Sequence, residues 1–326
     1  MSADYTNTPR WSEGSTGSVL IPDYWIPALE PDLPLLTFWE QFLATTYGNV
    51  EVSGEGMGDT FKASYITDVA AQTTPLTEGT AIAAGNSTGL AQATGTLREY
   101  GYAERISGFA NWLSNVDLMS ASGLTIARNA MITRNALIGA TFNSTTNGFA
   151  VTTATTVGEI TTVDAGTTGV SQLLPYHVTK IVSILRAKGI APYSDGLYRC
   201  IGSPGIFDGI KGQAQVYSSA ASLGISGVYS MGEVAVYNGV MFIEEFGPHR
   251  VSTLNAAGTA SKSTIFGVNS VIGYDTFYRP DLIRYYADDQ NDFGRTGKIG
   301  WYSVGGWVRP VDGTANGRVW NIYSSQ

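Results

Sequence analysis

The sequence predicts an α+β fold built from several unlike parts, and three observations support this prediction. One segment in the first third alternates apolar and polar residues as a half-exposed strand does, and a second extended segment follows it. Two segments in the middle have helical periodicity, and the last third returns to a β-rich composition. The predicted order is an N-terminal arm, a long hairpin, a long helix, a compact α/β lobe and a C-terminal β region. With 326 residues, the chain can form two lobes or one elongated domain.

The composition is that of a folded chain with a neutral surface. Hydrophobic residues make up 43% and charged residues 14% of the sequence, whereas charged residues are about a quarter of an ordinary soluble domain. Much of the outside must therefore consist of Ser, Thr, Asn and Gly, and neighbouring molecules can cover such a surface. The formal charge of −8, from 19 basic and 27 acidic residues, argues against a protein that binds nucleic acid by neutralising phosphates.

Cysteine usage, histidine usage and the N-terminus exclude further classes. The single cysteine, Cys200, rules out an internal disulfide and a thiolate zinc site, and two histidines argue against a His-rich metal centre. The first residues contain no basic segment followed by an apolar run, and the long uncharged stretch between Arg134 and Glu159 is rich in Asn and Thr. We therefore expect no secretory signal and no membrane span, and a soluble chain made inside the cell.

The N-terminal region is predicted to be extended. Residues 1–17 are polar, which is typical of an arm that becomes ordered only in contact with another molecule. Between residues 19 and 47, closely spaced prolines forbid one continuous helix, so we expect only a short helix from about Leu35 to Thr45.

A long hairpin is predicted next. Residues Phe61 to Val69 alternate with the period of a strand, and a second extended segment runs from Gln92 to Ile106. Small, weakly hydrophobic residues connect the two. A two-stranded ribbon of this kind is not stable alone in water, so we expect it to lie on a neighbour.

The strongest helix signal runs from Ser114 to about Ala140. Ser114 and Asp117 fit the Ser-x-x-acid pattern of a capping box, and a helix of this length is roughly 40 Å long. The interval 141–168 predicts weak strands or a surface insertion. The predicted apolar stripe of the helix consists of Leu124, Ala127, Met131, Ile138 and Phe142.

A compact α/β lobe and a β region complete the chain. Pro175 is predicted to open a helix that Gly189 closes. Strands are expected at Leu197–Ile201 and Val234–Ile243, with a turn at Asn238-Gly239 in the second. The inward-facing residues of the helix are predicted to be Val178, Ile181, Val182 and Leu185. A mobile loop is expected at Gly247–Lys262. The C-terminal β region contains Trp301, Trp307 and Trp320, with a break at Asp312-Gly313.

Several short motifs resemble catalytic or phosphate-binding motifs, but the spacing of their residues does not fit. Gly54–Gly58 resembles a phosphate-binding loop, yet no helix signal and no Lys-Ser/Thr pair follow, so a hinge at the hairpin base is the better interpretation. Gly224–Gly227 lacks the spacing of a Gly-x-Ser-x-Gly nucleophile turn. Glu244 and Glu245 are adjacent in a strand and point to opposite faces, so they cannot flank one scissile bond.

The remaining candidates also favour structural roles. The run Asp288–Asp292 offers oxygen ligands, but the sixth position of a calcium loop needs Gly, and Phe293 stands there. His177 and His249 are each expected to make an ordinary hydrogen bond, and Cys200 is expected to pack as a small hydrophobic residue. The sequence therefore predicts no catalytic, cofactor-binding or metal-binding residue and no enzyme. Extended segments that need a partner surface are instead typical of an assembly subunit.

Five short sequence segments stand out along the chain. They are Pro75–Gly79, Arg98–Gly101, Leu197–Pro204, Gly232–Val240 with Phe242–Glu244, and Lys298–Tyr302, and together they span about residues 51–308. In this order they resemble the major capsid proteins of tailed bacteriophages, in the branch related to the N-four-like phages.

This resemblance implies the Hong Kong 97 fold and a division of the chain into segments. Residues 1–53 correspond to an N-terminal arm and 54–107 to an extended hairpin called the E-loop. Residues 108–170 correspond to the P-domain with its spine helix, 171–275 to the A-domain, and 276–326 to the C-terminal strands of the P-domain.

The resemblance also implies partners. Such subunits form hexamers and pentamers that close an icosahedral shell around phage double-stranded DNA, without sequence-specific binding, and the virion capsid is assembled in the host cytoplasm. A portal, a separate scaffolding protein and decoration proteins are implied partners; no membrane and no cofactor is implied.

We expect contacts between subunits at the arm, the hairpin tip Pro75–Gly89 and the loop Gly247–Lys262. Some relatives crosslink an E-loop lysine to an asparagine of a neighbour, and Lys62 lies in that region.

Two alternatives remain open from the sequence. An encapsulin-like cellular compartment uses the same fold to hold a cargo enzyme, and its gene neighbours would include that enzyme in place of portal and terminase genes. A secreted β-rich hydrolase or adhesin requires an export route and would bind or turn over a glycan as a monomer.

Overall fold

The computed structural model describes residues 38–44, 50–52, 60–67, 73, 75, 77–79, 89–114, 118–152, 160–163, 171–203, 205–211, 236–245, 251, 261–279, 296–312 and 317–325. Several sequence predictions lie outside these residues. They are the arm at 1–17, the motifs Gly54–Gly58 and Gly224–Gly227, the acidic run Asp288–Asp292, and His249.

The described helices and strands are distributed along the whole chain. A short 3-10 helix, Phe38–Phe42, comes first. The α-helices are α1 (Gly108–Leu113), α2 (Leu118–Asn143), α3 (Pro175–Ala187) and α4 (Asp208–Lys211). The strands are β1 (Val50–Val52), β2 (Thr60–Thr67), β3 (Gly89–Thr96), β4 (Arg98–Ser107), β5 (Gly148–Val151), β6 (Ile160–Val163), β7 (Tyr198–Gly202), β8 (Val236–Tyr237), β9 (Val240–Glu244), β10 (Ser261–Phe266), β11 (Ile272–Arg279), β12 (Thr296–Val308) and β13 (Val319–Ser324).

These strands form three sheets. The hairpin sheet has the order β1-β2-β3, and a second three-stranded sheet has the order β11-β12-β4. The largest sheet has the order β6-β5-β13-β10-β7-β9-β8, with β5 parallel to β13 and β7 parallel to β9. This sheet takes strands from the predicted segments 108–170, 171–275 and 276–326, so its pairing crosses the predicted boundaries at 170 and 275. The division into segments otherwise remains a prediction.

The predicted α/β lobe is confirmed at its helix. Helix α3 begins at Pro175, where the missing N–H costs nothing, and Gly189 follows its end with φ +71°, a conformation that Gly adopts without steric cost. The four predicted inward residues are all buried, and they pack against the large sheet beside Phe149, Cys200 and Trp320. Burial of this apolar face, at about 25 cal/mol per Å², provides most of the stability of the lobe.

The predicted turn in the next strand segment is also confirmed. Asn238 and Gly239 connect β8 to β9 and both have positive φ, 46° and 81°. A two-residue hairpin with positive φ at both positions matches the right-handed twist of the flanking strands, and Asn-Gly is the sequence that this turn favours.

The long helix is confirmed, but its start and its capping were predicted wrongly. Ser114 does not open it; its backbone N–H donates to Ala110 and closes the preceding helix α1 instead. Helix α2 begins at Leu118 and continues to Asn143, three residues beyond the predicted end. The prediction failed because a polar residue between two apolar runs fits the end of one helix as well as the start of the next.

Two other boundaries differ from the prediction. The short helix near residue 40 is a 3-10 helix of five residues. Ser261 and Lys262, predicted as the end of a loop, are the first residues of β10 and pair with β13. In the interval 141–168, the strand alternative is confirmed for β5, whose residues are all buried between β6 and β13, so this part is no surface insertion.

A buried polar cluster fixes the C-terminal end of α2. The amide of Asn321 donates to the backbone oxygens of Asn143 and Thr145, at 3.2 and 3.1 Å, and its oxygen accepts from the Thr264 hydroxyl at 3.1 Å. Lys262 also donates to the Asn143 carbonyl. These contacts satisfy carbonyls that the end of a helix leaves without an intrahelical donor, and the cation is favourable at the negative end of the helix dipole.

We expect Asn321→Leu to lower the free energy of unfolding by about 1–3 kcal/mol, because the Thr145 carbonyl loses its amide donor, while the Asn143 carbonyl keeps Lys262 and the Thr264 hydroxyl keeps Asn143 as a partner. Denaturant unfolding of the unassembled chain measures this. Thr146→Val, at an exposed position on the same loop, should change the value by less than about 0.5 kcal/mol. Equal effects of the two substitutions would contradict the role given to the Asn321 amide.

Candidate subunit contacts

The tip of the long hairpin is exposed wherever the structure describes it. Thr73, Pro75 and residues 77–79 are all solvent-exposed, and Gly79 has φ +81°. Strands β2 and β3 pair in register from Thr60↔Thr96 to Thr67↔Gly89. The rest of the predicted contact segment Pro75–Gly89 lies outside the described residues. The hairpin therefore presents polar residues and a proline to its surroundings.

A buried aromatic side chain attaches the base of the hairpin to the β11-β12-β4 sheet. Phe61 on β2 has no exposed surface. A Cβ atom at Gly95 would lie 2.3 Å from its ring, and one at Gly306 on β12 would lie 2.8 Å from the ring and 2.6 Å from the Thr96 carbonyl. Only residues without a side chain fit at these two positions, so the ring is held between β3 and β12.

A second buried aromatic, Trp39, attaches the N-terminal 3-10 helix to the body. Its backbone N–H donates to Asn135 on α2 at 2.8 Å, and its indole N–H donates to the buried Glu245 carboxylate at 2.8 Å. Glu40 forms an ion pair with Arg134 at 2.9 Å. The 3-10 helix is therefore held at a fixed point of the body, between the long helix and the end of β9.

Close packing around Trp39 depends on a glycine of α2. A Cβ atom at Gly139 would lie 2.8 Å from the indole nitrogen and 2.8 Å from a methyl group of Val251. The same Glu245 oxygen that accepts from Trp39 also accepts from the backbone N–H of Val251 at 2.9 Å. Val251 belongs to the loop predicted to contact other subunits, so the 3-10 helix and this loop share one carboxylate.

Sequence reasoning missed the helix α1, which carries the most exposed apolar side chains. Ser107 caps its start by accepting from the Ala110 N–H at 3.0 Å. Phe109, Trp112 and Leu113 are 67%, 78% and 51% exposed. The signal was present in the sequence, because a Ser precedes a short run with apolar residues at positions 109, 112 and 113, which fits one helical turn.

The adjacent carboxylates of Glu244 and Glu245 have separate partners. Glu244 forms an ion pair with Lys211 on α4, whereas Glu245 is buried against Trp39 and Val251. Because the two carboxylates bind different partners, each of them has a structural role.

Cys200 lies fully buried in β7 among the apolar side chains of the lobe. Burial raises the pKa of its thiol to about 12, and a hydrogen bond with Ser263 opposes this only in part. The thiolate is the nucleophilic form, so this thiol is inert near neutral pH.

His177 makes the kind of hydrogen bond expected from the sequence. Its Nδ1 accepts from the Leu174 N–H at 3.1 Å, at the start of α3, and its side chain is buried. Burial lowers its pKa below the ordinary value of 6.5, and the nearby Lys180 lowers it further. The folded lobe therefore favours the neutral form of the His177 imidazole.

We expect the His177 environment to make stability depend on pH. Because its folded-state pKa is lowered, the contribution to stability is complete above about pH 6.5 and is lost as the pH falls towards the folded-state pKa. The slope is at most about 1.4 kcal/mol per pH unit. Thermal or denaturant unfolding between pH 7 and 5 should show this slope in the wild type and a smaller one in His177→Gln. His249→Gln is the matched control, and a wild-type slope in His177→Gln would contradict the assignment.

Within the ranges given above, no group of three or more His, Cys, Asp and Glu side chains is placed to hold a metal ion. Neither α2 nor any other described helix is both long and apolar enough to cross a lipid bilayer.

Comparisons with known proteins match this architecture to phage capsids. No protein-family model matches the sequence, and no curated protein matches it. Among solved structures, the Cyanophage Pam1 capsid asymmetric unit has a TM-score of 0.62 and 14% identity, covering 88% of this chain and 91% of that chain. The acid-stable capsid of Helicobacter pylori bacteriophage KHP30 has a TM-score of 0.62, 13% identity, and coverage of 88% and 91%. The capsid of Ralstonia phage GP4 has a TM-score of 0.60, 12% identity, and coverage of 92% and 94%.

The matches cover about nine-tenths of this chain and of each matched chain. The resemblance stated from the sequence is thereby confirmed at the level of the fold, and the N-four-like branch remains a prediction. The chain has the α+β Hong Kong 97 fold of tailed-phage capsid proteins.

Proposed function

We propose that this chain is the major capsid protein of a tailed phage and that its function is self-association into the shell of the virion. The observation that carries the proposal is the match of about nine-tenths of the chain to solved phage capsid structures that are themselves covered to the same extent. In this proposal hexamers and pentamers close an icosahedral shell around double-stranded DNA, and the chain has no catalytic role.

Three features of the molecule support a shell subunit. The hairpin projects exposed residues at its tip, while Phe61 attaches its base firmly to the body. The buried Trp39 holds the 3-10 helix Phe38–Phe42 in the body. The net charge of −8 favours a container whose surface repels packaged DNA, since adhesion between the shell and its contents would oppose packaging and release.

The proposed contacts between subunits are those expected from the sequence. The arm and the hairpin tip Pro75–Gly89 hold adjacent subunits together, and the part of the predicted loop Gly247–Lys262 that precedes β10 lies at the axis of the hexamer or pentamer. A portal, a separate scaffolding protein and decoration proteins are further proposed partners.

Electron microscopy of the purified recombinant chain tests the proposed function. We expect closed particles of uniform diameter, either spontaneously or after a scaffolding protein is supplied. A compact monomer at every concentration in analytical ultracentrifugation, with and without that scaffolding protein, would overturn the proposal. Particles recovered from infected cells should contain double-stranded DNA, whereas an encapsulin-like compartment would contain a cargo enzyme.

Deletion of Pro75–Gly89 should give a chain that folds but does not close shells. Pro75 and residues 77–79 are exposed, so their removal takes little from the core. Circular dichroism and sedimentation report folding, and electron microscopy reports closure. A variant in which the same residues are replaced by Gly and Ser, at equal length, should also fail to close shells. Intact particles from either variant would contradict the role of the tip.

A further inference from the structure

The helix α1 forms an apolar patch that the described part of the chain leaves uncovered. The rings of Phe109 and Trp112 lie 6.3 Å apart at an interplanar angle of 31°, and Leu113 adjoins Trp112 in the sequence. An aromatic side chain carries about 150–250 Å² of surface, so these two rings alone expose on the order of 300 Å². That area approaches the size of the largest apolar patch on a typical monomer, and such patches mark interaction sites.

The exposed position of the patch is fixed by the backbone. Ser107 caps the start of α1, and the Ser114 N–H donates to Ala110 at its end. A six-residue helix capped at both ends holds its side chains in a defined direction, and both caps are local contacts independent of the patch. The side chains of α1 are therefore preorganised to bind a surface, since little ordering is required of the backbone.

The rest of the exposed apolar surface is concentrated in the same part of the fold. Six large hydrophobic side chains are exposed among the described residues, and five belong to β4, α1 and β12. In the described part of the sheet, β4 pairs only with β12, so its other edge has no strand beside it. The five side chains are Tyr102, Phe109, Trp112, Leu113 and Tyr302.

The charges of β4, the strand that leads into α1, favour a second copy of this chain as the partner. Strand β4 carries two basic and two acidic residues in mirrored order, Arg98-Glu99 and Glu104-Arg105. Two copies of a chain with a net charge of −8 repel each other, but exposed charges more than about 8 Å apart are largely screened at physiological ionic strength, and this strand is itself neutral. An antiparallel second copy of β4 centred on Gly101 would place Arg98 opposite Glu104, and the symmetry would provide the same pair again.

We propose that the α1 patch, defined by Phe109, Trp112 and Leu113, is a contact between copies of this chain, and that the free edge of β4, the strand that leads into α1, belongs to the same contact. The inference rests on the proposed function and deepens it, because it adds a shell contact to the arm, the hairpin tip and the axial loop. Apolar residues at the centre of an interface with charged residues around them are the usual anatomy of a stable protein contact.

Hydroxyl-radical footprinting read by mass spectrometry tests the proposal on the wild-type chain. Oxidation of Trp112 should fall by about fivefold when subunits assemble, because the centre of an interface is desolvated. Tyr176, which is 44% exposed on α3 and far from α1 in sequence, is the reference side chain. Equal oxidation of Trp112 in subunits and in closed particles would overturn the inference and leave the proposed function standing.

A pair of variants provides the second readout. Trp112→Asp should fold with a wild-type unfolding midpoint, because its side chain is 78% exposed, and should give no closed particles. Tyr176→Asp is the matched control and should still assemble. Particles of Trp112→Asp at wild-type yield would overturn the inference, as would protection of Trp112 that appears only when lipid vesicles or another phage protein are added to particles. If the wild-type chain itself never assembles, the proposed function fails first.

Discussion

Trp39→Ala should lower the free energy of unfolding by at least about 3–5 kcal/mol, the range for removing a large buried aromatic side chain. The indole is completely buried and contacts Phe142 and Phe266, at ring distances of 5.2 and 6.5 Å. The substitution also removes the indole donor from the buried Glu245 carboxylate, which adds roughly 1–3 kcal/mol. Denaturant unfolding of the unassembled chain is the measurement.

Two further substitutions separate the causes of this loss. Trp39→Phe keeps most of the ring and removes only the indole N–H, so it should cost about 1–3 kcal/mol, the part that belongs to Glu245. Trp112→Ala removes the same side chain from an exposed position and should change the unfolding free energy by less than about 0.5 kcal/mol. If Trp39→Ala were as mild as Trp112→Ala, Trp39 would not anchor the N-terminal segment.

Phe61→Ala should release the hairpin from the body while the lobe stays folded. The lost packing is worth about 3–5 kcal/mol, and the cavity would lie between two glycines whose positions cannot provide a side chain to fill it. Opening of the hairpin should therefore become more than about 100-fold more frequent. Hydrogen exchange of the β2 and β3 amides measures this opening, with the β7 and β10 amides as the internal reference.

Lys62→Ala is the matched control for this experiment. Lys62 is the next residue on β2, its side chain is exposed, and its removal should leave the exchange of β2 and β3 close to the wild-type rates. Unchanged exchange in Phe61→Ala, or faster exchange of β7 and β10 together with the hairpin, would contradict a hairpin attached to the body by this one ring.

Local patterns predicted the elements that local chemistry determines. Pro175 and Gly189 marked the ends of α3, and Asn238-Gly239 marked a turn, because each of these residues suits only a few backbone conformations. The start of α2 was missed for the opposite reason, since Ser114 is compatible with either end of a helix. The burial of β5 was also missed, because that strand is placed by pairing with β13, about 170 residues further along the chain.

The contacts at the candidate subunit surfaces could not be predicted from the sequence, because they also join residues that are far apart in the chain. Trp39 and Glu245 are joined by a hydrogen bond across 206 positions, and neither residue has a sequence neighbour that reveals the other. Gly95 and Gly306 look like ordinary strand glycines until the Phe61 ring is placed between them. Helix α1 could have been predicted, because Ser107 and the apolar positions after it are a local pattern.

The burial of Cys200 has a practical consequence for chemical labelling. A maleimide reacts with thiolate, and a fully buried thiol with a pKa of about 12 provides almost none at neutral pH. A cysteine introduced at an exposed position such as Ala187, at the end of α3, would therefore be modified alone. Each subunit could carry one fluorophore or peptide at a known position, and the number of dyes per particle would count the copies in the shell.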